Sequence, residues 1–378
     1  MRIGILTLPL HINYGGILQA YALQTVLERM GHEVHLITIK KKPFSLPLYI
    51  RPFCYGKRIL KNMLGEKTPI FYERKHQQEQ IEIRQHTSKF ITHYIKQAFY
   101  DDYTEIKSSD FDAIVVGSDQ VWRPFYFGSK NIEQAYLQFA EGWNIKRIAY
   151  AASFGTDNWE YSPEQTARCS SLLKKFNAIS VRESSAIELC QKHFKVKANW
   201  TLDPTLLLDI KDYLQIIKNT STSKSKGNLF CYILDETEEK KKLINQIASQ
   251  KKWTPFSVKA QSENEKDPIT KRIQPPIEQW LRSFWDAEFV ITDSFHGCVL
   301  SIIFNKPFIT ISNEGRGQAR FDSLLKLFSL ENRLINISKP SLRCLSNPII
   351  WDDINSIRKY RKEISLHTLN KTLIINGM

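Results

Sequence analysis

The chain opens on RIGILTL (residues 2–8), a mostly apolar run of strand length, followed by the breaker-rich PLHINYGG. From Ile17 the period changes. Ala20, Leu23, Leu27 and Met30 recur at spacings of three and four, which marks one face of a helix. Gly31 stands where such a helix stops, and HEVHLITI reads as a second strand. This β-loop-α-β start predicts the first unit of a doubly wound parallel sheet.

The pattern then repeats with variations. Residues 75–98 read as a long helical stretch. FDAIVVGSDQVW (111–122), IKRIAYAASFG (145–155), NAISVRESSAIELC (177–190) and NWTLDPTLLL (199–208) each run an apolar strand into a small or polar tip. In open α/β sheets, ligands bind outside those carboxyl ends. NTSTSKSKGN (219–228) is a linker-like or surface-loop segment, after which LFCYIL starts a second round. Residues 236–250 read as a charged amphipathic helix, and WDAEFVITDSFHGCVLSIIFNKPFITI as strand, loop, helix, turn and strand. The predicted fold is α/β: two Rossmann-like domains facing a cleft, residues 1–210 and 211–345, with a helical tail over 346–378 that runs back over the first domain.

Composition narrows the picture. A length of 378 residues suits two domains of roughly 100–200 residues each. The chain carries 53 Lys and Arg against 39 Asp and Glu, a net charge of +14, so anionic partners are favoured. No zinc-finger spacing, RNP pattern or basic heptad helix is present, which argues against nucleic acid. Six cysteines without a CxxC pair suit a reduced, cytoplasmic protein. No window is long and apolar enough for a membrane span, and no metal-ligand spacing such as HExxH occurs.

Candidate chemistry lies at the strand tips. In ITDSFHGCVL (291–300) a strand gives way to a helix, so Asp293 to Gly297 sit at a helix amino end, where free N–H groups and the dipole favour anions. A neutral imidazole at His296 can take a proton from a hydroxyl, or the histidine would only satisfy a backbone carbonyl. Gly297 would let a ligand approach the backbone, or Asp293 and Ser294 would only cap the helix. In the first domain Asn13, Gly15 and Gly16 form a glycine-rich turn at a helix start, suited to a phosphate or a sugar or simply to a tight turn; GxGxxG is lacking, so no dinucleotide is expected. Ser118, Asp119, Gln120 and Trp122 offer sugar-binding groups, or a capped turn over a core tryptophan.

The segments NYGGILQAYAL, FDAIVVGSDQVW, ISVRESS, LDPTLLL, ITDSFHG and NKPFITIS, in that order over residues 1–330, resemble the polysaccharide pyruvyl transferase family. The resemblance implies a fold similar to the GT-B glycosyltransferases. It implies transfer of the pyruvyl group of phosphoenolpyruvate onto a sugar of a bacterial surface polysaccharide (a capsule or exopolysaccharide) or its precursor, as a ketal. Phosphoenolpyruvate is then a substrate, and no cofactor or metal is expected. His296 and Asp293 become the acid and base candidates. Ser294, Gly297, Arg182, Arg316 and Arg320 become the expected donor contacts, and Asn13, Gly15, Gly16, Ser118, Asp119, Gln120 and Trp122 the acceptor contacts. Members often carry an arginine two positions before the histidine; this chain has Ser294 there, with Phe295 next. Arg182, then Arg316 and Arg320, are the expected substitutes for it.

Two other readings stand beside this one. A GT-B glycosyltransferase would use a nucleotide sugar and place a carboxylate, such as Glu314, on the ribose. A non-catalytic glycan- or anion-binding protein would keep the fold without the chemistry. For a lipid-linked acceptor, the positive charge predicts peripheral contact with the anionic inner face of the membrane.

Overall fold

A computed structural model describes residues 1–41, 45–66, 68–313 and 317–374. Seven parallel strands form the first sheet: β1 (Arg2–Leu6), β2 (Glu33–Ile39), β3 (Gln97–Tyr100), β4 (Ala113–Val116), β5 (Lys146–Ala152), β6 (Ala178–Val181) and β7 (Asn199–Trp200). Their order is β3-β2-β1-β4-β5-β6-β7. Five parallel strands form the second: β8 (Leu229–Tyr232), β9 (Pro255–Phe256), β10 (Phe289–Thr292), β11 (Phe308–Ile311) and β12 (Leu334–Ile335), in the order β12-β11-β10-β8-β9.

Each sheet reverses direction once, between β1 and β4 in the first and between β8 and β10 in the second. Loops diverge at such a switch point and leave a crevice beyond the carboxyl ends of the strands. The tips that carry Asn13, Ser118–Gln120 and Asp293–His296 follow β1, β4 and β10, so both crevices receive the candidate residues.

The first helix (Tyr14–Arg29) forms where the sequence places it. Asn13 caps it, its side chain accepting from the Gly16 N–H at 3.2 Å, and Gly31, at φ +87°, ends it. Its buried face is wide, with Ile17, Leu18, Ala20, Leu23 and Leu27 all at 1% exposure or less, because the helix is packed from both sides. The same core runs on into the second domain. The Tyr14 ring lies 4.9 Å from Trp280 and its hydroxyl donates to the Pro275 carbonyl at 2.5 Å. Ser184 N–H donates to Ser323 Oγ at 3.0 Å, and Arg272 pairs with Glu79 at 2.7 Å. These contacts tie the two halves around the cleft.

One element departs from the sequence reading. The stretch 75–98 is not one helix: helices Tyr72–Ile83 and Gln85–Tyr94 break at Arg84, and β3 begins at Gln97. The alternation of a four-residue edge strand is too short to show against helical periodicity. In 199–208 the short strand is Asn199–Trp200 and the proline turn is a 3₁₀ turn at Pro204–Leu207, as the sequence indicates. The C-terminal helix (Trp351–Leu373) lies along the first domain, where Ser365 meets Thr201 at 2.8 Å and Arg358 donates to the Leu208 carbonyl at 2.5 Å.

Candidate active site

The centre of the cleft holds a buried ion cluster drawn from four strand tips. Asp203 follows β7, Arg182 follows β6, Ser118 and Asp119 follow β4, and His296 comes from the second domain. Arg182 donates to Asp203 Oδ2 at 2.8 Å and to Asp119 Oδ1 at 3.4 Å. Ser118 Oγ donates to the same Asp203 oxygen at 3.0 Å, and Thr205 holds Oδ1 through its N–H and hydroxyl. His296 Nε2 lies 3.7 Å from Asp203 Oδ2, is buried, and has no hydrogen-bond partner among the described residues.

Burial opposes the ionisation of Asp203, but His296, Arg182 and Thr205 outweigh it and hold its carboxyl well below the usual carboxylate range. Asp119 is balanced the same way: burial raises its pKa, and Arg182, His296 and Arg320 bring it below the ordinary value. Its backbone sits at φ 66°, the left-handed region that Asp tolerates better than most residues, so its carboxylate is fixed by a strained turn. Arg320 Nη1 is 3.9 Å from Asp119 Oδ1. Burial, then the charge of Arg182, pushes the Arg320 pKa down to about 10. The Phe295 ring lies between the two arginines, 4.6 Å from Arg182 and 5.3 Å from Arg320.

Beside this cluster is a cavity of about 100 Å³ lined by residues that include Asn13, Asp119, Gln120, Ser294, His296 and Arg320. Three helices begin at it. Asn13 caps the first helix, Ser294 caps helix Phe295–Ile303 by accepting from Gly297 N–H at 3.4 Å, and Gly317 precedes helix Gln318–Leu327, which carries Arg320. The first N–H groups of each helix lack intrahelical partners, so three positive helix ends converge on one small space.

Several expected roles change on this geometry. Asp293 does not pair with His296. Its buried carboxylate meets Lys240 at 2.7 Å and accepts from the N–H groups of Leu234 and Asp235 at 2.6 and 3.1 Å, which binds the loop after β8 to β10. The carboxylate beside His296 is Asp203, inside the LDPTLLL segment. Its Asp-Pro pair at a strand end was the available signal, but only the fold brings it to His296. Trp122 is fully buried, stacked on Tyr136 at 5.1 Å with its N–H on the Ala135 carbonyl, so it is core and not a sugar platform. Gly297 serves packing: a Cβ there would lie 2.3 Å from Thr292 Oγ1.

Gly15 has the corresponding role across the cleft, where a Cβ would lie 2.0 Å from His296 Nδ1. Gly16 is looser, its Cβ position being 3.4 Å from Asp119 Oδ2. Gln120 is buried, and its side-chain oxygen accepts from Arg123 at 3.1 Å. Arg182 is committed to two carboxylates, and Arg320 lines the cavity. Arg316 and Glu314 lie outside the described residues. Among the described residues, no group of three or more His, Cys, Asp or Glu is placed to hold a metal ion, and no helix is long and apolar enough to cross a membrane.

Comparisons with known proteins place this geometry. UDP-GlcNAc 2-epimerase from Neisseria meningitidis, bound to UDP-GlcNAc, superposes over 100% of both chains with TM-score 0.52 at 9% identity. A putative UDP-N-acetylglucosamine 2-epimerase from Listeria monocytogenes covers 98% of this chain and 95% of its own, with TM-score 0.52 and 11% identity. UGT89C1 from Arabidopsis thaliana, complexed with UDP-L-rhamnose, covers 98% and 99% with TM-score 0.50 and 8% identity. At such identities the likeness is one of fold, that of the GT-B glycosyltransferases and epimerases. No curated protein sequence matches the chain. The family model for polysaccharide pyruvyl transferase matches residues 13–315, from the Asn13 cap through the His296 helix, and the chain belongs to that family.

Proposed function

We propose that this protein transfers the pyruvyl group of phosphoenolpyruvate to two hydroxyls of a glycan, or of a lipid-linked glycan precursor, as a ketal. The observation that carries the reading is the convergence of three helix amino ends and Arg320 on a cavity of about 100 Å³ beside the His296–Asp203 pair. Such a space suits a small, multiply charged anion. Pockets for drug-sized ligands start at roughly 300 Å³, which disfavours a nucleotide sugar at this point.

In this reading Arg320 and the helix ends hold the phosphate and carboxylate of the donor. A proton is delivered to carbon-3 of the enol, and carbon-2 becomes electrophilic. The first acceptor hydroxyl forms a bond to carbon-2 and gives up its proton. The carbon–oxygen bond to phosphate breaks, phosphate leaves with the electron pair, and the second hydroxyl closes the ketal and loses its proton in turn. His296 is the proton carrier at the cavity wall, and Asp203 orients its imidazole and stabilises the cation it forms. Asn13 and Asp119, on the first-domain side, are the groups available to acceptor hydroxyls.

The test is calorimetric titration of phosphoenolpyruvate into wild type and Arg320→Ala, paired with release of inorganic phosphate in the presence of a diol-bearing glycan. Binding lost in Arg320→Ala, with phosphate release that depends on the glycan, is the expected result. A melting temperature raised by a nucleotide sugar and not by phosphoenolpyruvate would overturn the reading in favour of a glycosyltransferase.

A further inference from the structure

Helix Arg51–Met63 is inverted relative to the rest of the molecule. None of its residues is buried, although it is strongly amphipathic. Its half-buried positions, Arg51, Cys54, Tyr55, Arg58 and Lys61, recur at spacings of three and four and face the protein. There Arg58 forms a two-pronged pair with Glu73 at 2.7 and 3.0 Å, and Tyr55 packs 5.3 Å from Phe71. The outward face is the apolar one. Leu48 and Tyr49 in the turn before the helix, and Phe53, Leu60, Met63 and Leu64 on it, are each between 61% and 82% exposed. A soluble surface does not ordinarily gather that many large apolar side chains in one stripe.

The charges around the stripe say what covers it. Residues 40–66 contain seven Lys and Arg against one Glu; Lys40, Arg58 and Lys61 pair with Asp101, Glu73 and Glu66, and the segment keeps a positive excess. Pairing two copies of this face would bring like charges together. An anionic lipid surface complements both features, with apolar side chains in the acyl boundary and cations among the headgroups. The helix has 13 residues, too few to span a bilayer and enough to lie in its interface.

The position fits delivery of a substrate. The segment follows the carboxyl end of β2, on the side of the first sheet where the cleft opens. A second cavity, of about 240 Å³, is lined by residues that include His11, Lys41 and Arg84, and it shares Leu8 with the central cavity. Lys41 reaches His11 at 2.7 Å and Arg84 reaches Gln80 at 2.9 Å; neither cation meets a carboxylate among the described residues.

We propose that residues 48–64 form a membrane-docking face that seats this protein on an anionic bilayer, with the cleft mouth turned toward the lipid surface. The orientation of the mouth toward a lipid-linked acceptor rests on the transferase reading; the docking itself does not. The test uses the full chain and co-sedimentation with vesicles of phosphatidylcholine alone or mixed with phosphatidylglycerol, without donor or acceptor, at low and high salt. Wild type should sediment with the phosphatidylglycerol vesicles, release at least tenfold with salt, and ignore pure phosphatidylcholine. Phe53→Glu combined with Leu60→Glu should weaken binding at least tenfold at an unchanged melting temperature. Tyr360→Glu, an exposed position on the C-terminal helix, should leave binding unchanged. Failure of wild type to bind phosphatidylglycerol vesicles, or full binding by the double variant, overturns the proposal. So does a wild-type dimer, blind to vesicles, that the double variant splits, because the face would then belong to a second copy. No substrate is present, so this outcome is independent of whether phosphoenolpyruvate is the donor.

Discussion

His296 Nε2, carried by the second domain, lies 3.7 Å from Oδ2 of Asp203, carried by the first. Neither group makes sense alone. Asp203 is 2% exposed and His296 6%, and an isolated buried charge is costly. Together with Arg182, Ser118 and Thr205 they form a network that is complete only when the two domains are closed on each other. The site is therefore also part of the domain interface.

Replacing Asp203 by Asn tests the positioning role. The amide keeps the shape and can still meet Ser118, but it no longer carries the charge that faces Arg182 and His296. The expected effect on chemistry is a fall in kcat within the range of about 10²–10⁴-fold found for acid–base groups, with the KM for phosphoenolpyruvate little changed. A purely structural role would instead lower the active fraction and leave the kcat of the folded enzyme intact. Active-site titration alongside steady-state kinetics separates the two.

The same carboxylate shapes the acid limb of stability. Asp203 and Asp119 both have folded pKa values below the ordinary carboxylate value. A depressed carboxylate contributes stability above its unfolded pKa, about 4, and that contribution is lost as pH falls through the folded value. Wild type should therefore hold its stability down to about pH 4 and lose it progressively below. Asp203→Asn should be less stable than wild type at neutral pH and show a shallower acid decline. Denaturant unfolding across pH 2.5–7 checks both slopes; parallel curves for the two proteins would remove Asp203 from the account.

Gly15→Ala probes the same contact from the first domain. The new methyl would sit 2.0 Å from His296 Nδ1, so the imidazole must move or the domains must part. The first helix should survive, since Ala is a better helix former than Gly. A displacement of about 1 Å at a reacting group can cost about 10²-fold in rate, and a loss of that order at a near-native melting temperature is expected. Gly16→Ala, with its Cβ position at an ordinary 3.4 Å from Asp119, is the control and should be mild.

How much of this was legible beforehand follows from where each signal lives. The central strands of both sheets read directly from apolar runs, because parallel strands buried on both faces are continuous hydrophobic stretches, whereas the short edge strands β3, β9 and β12 did not. His296, Asp119 and Arg182 stood out as polar residues at strand tips. Asp203 was passed over inside LDPTLLL: its proximity to His296 spans both domains, and no spacing along the chain encodes that. Asp293 lines the same cavity as His296, but its carboxylate turns toward Lys240 on the helix after β8, a partner that no spacing along the chain encodes. The outward apolar stripe of Arg51–Met63 was invisible for a related reason. Amphipathic periodicity shows that a helix has two faces and not which of them meets the protein.

The two central arginines should separate cleanly. Arg320→Ala removes a charge-assisted contact to the donor, worth about 1.5–3 kcal/mol, which corresponds to roughly a ten- to hundredfold weaker Kd for phosphoenolpyruvate. Arg320 Nη1 also lies 3.9 Å from Asp119 Oδ1, so thermal unfolding measured beside calorimetry separates a lost donor contact from a lost ion pair. Arg182→Ala instead strands two buried carboxylates and should cost about 3–5 kcal/mol of stability. Calorimetry and thermal unfolding on both variants give the comparison; a stable Arg182→Ala that merely fails to bind donor would reverse the assignment.

Lys240→Met asks whether Asp293 is structural. Lys240 is 6% exposed and its ammonium is 2.7 Å from an Asp293 oxygen, with the Asp235 carbonyl at 2.8 Å. Methionine fills much of the same volume and removes the charge, so Asp293 is left buried with only two backbone N–H partners. Breaking one side of a buried pair costs about 3–5 kcal/mol. Lys240→Met should therefore unfold earlier in denaturant, while the residual folded protein binds phosphoenolpyruvate as wild type does. Lys240→Met combined with Asp293→Asn should recover part of the lost stability, because the stranded charge is gone. Loss of donor affinity in the folded single variant, without loss of stability, would return Asp293 to the chemistry of the site.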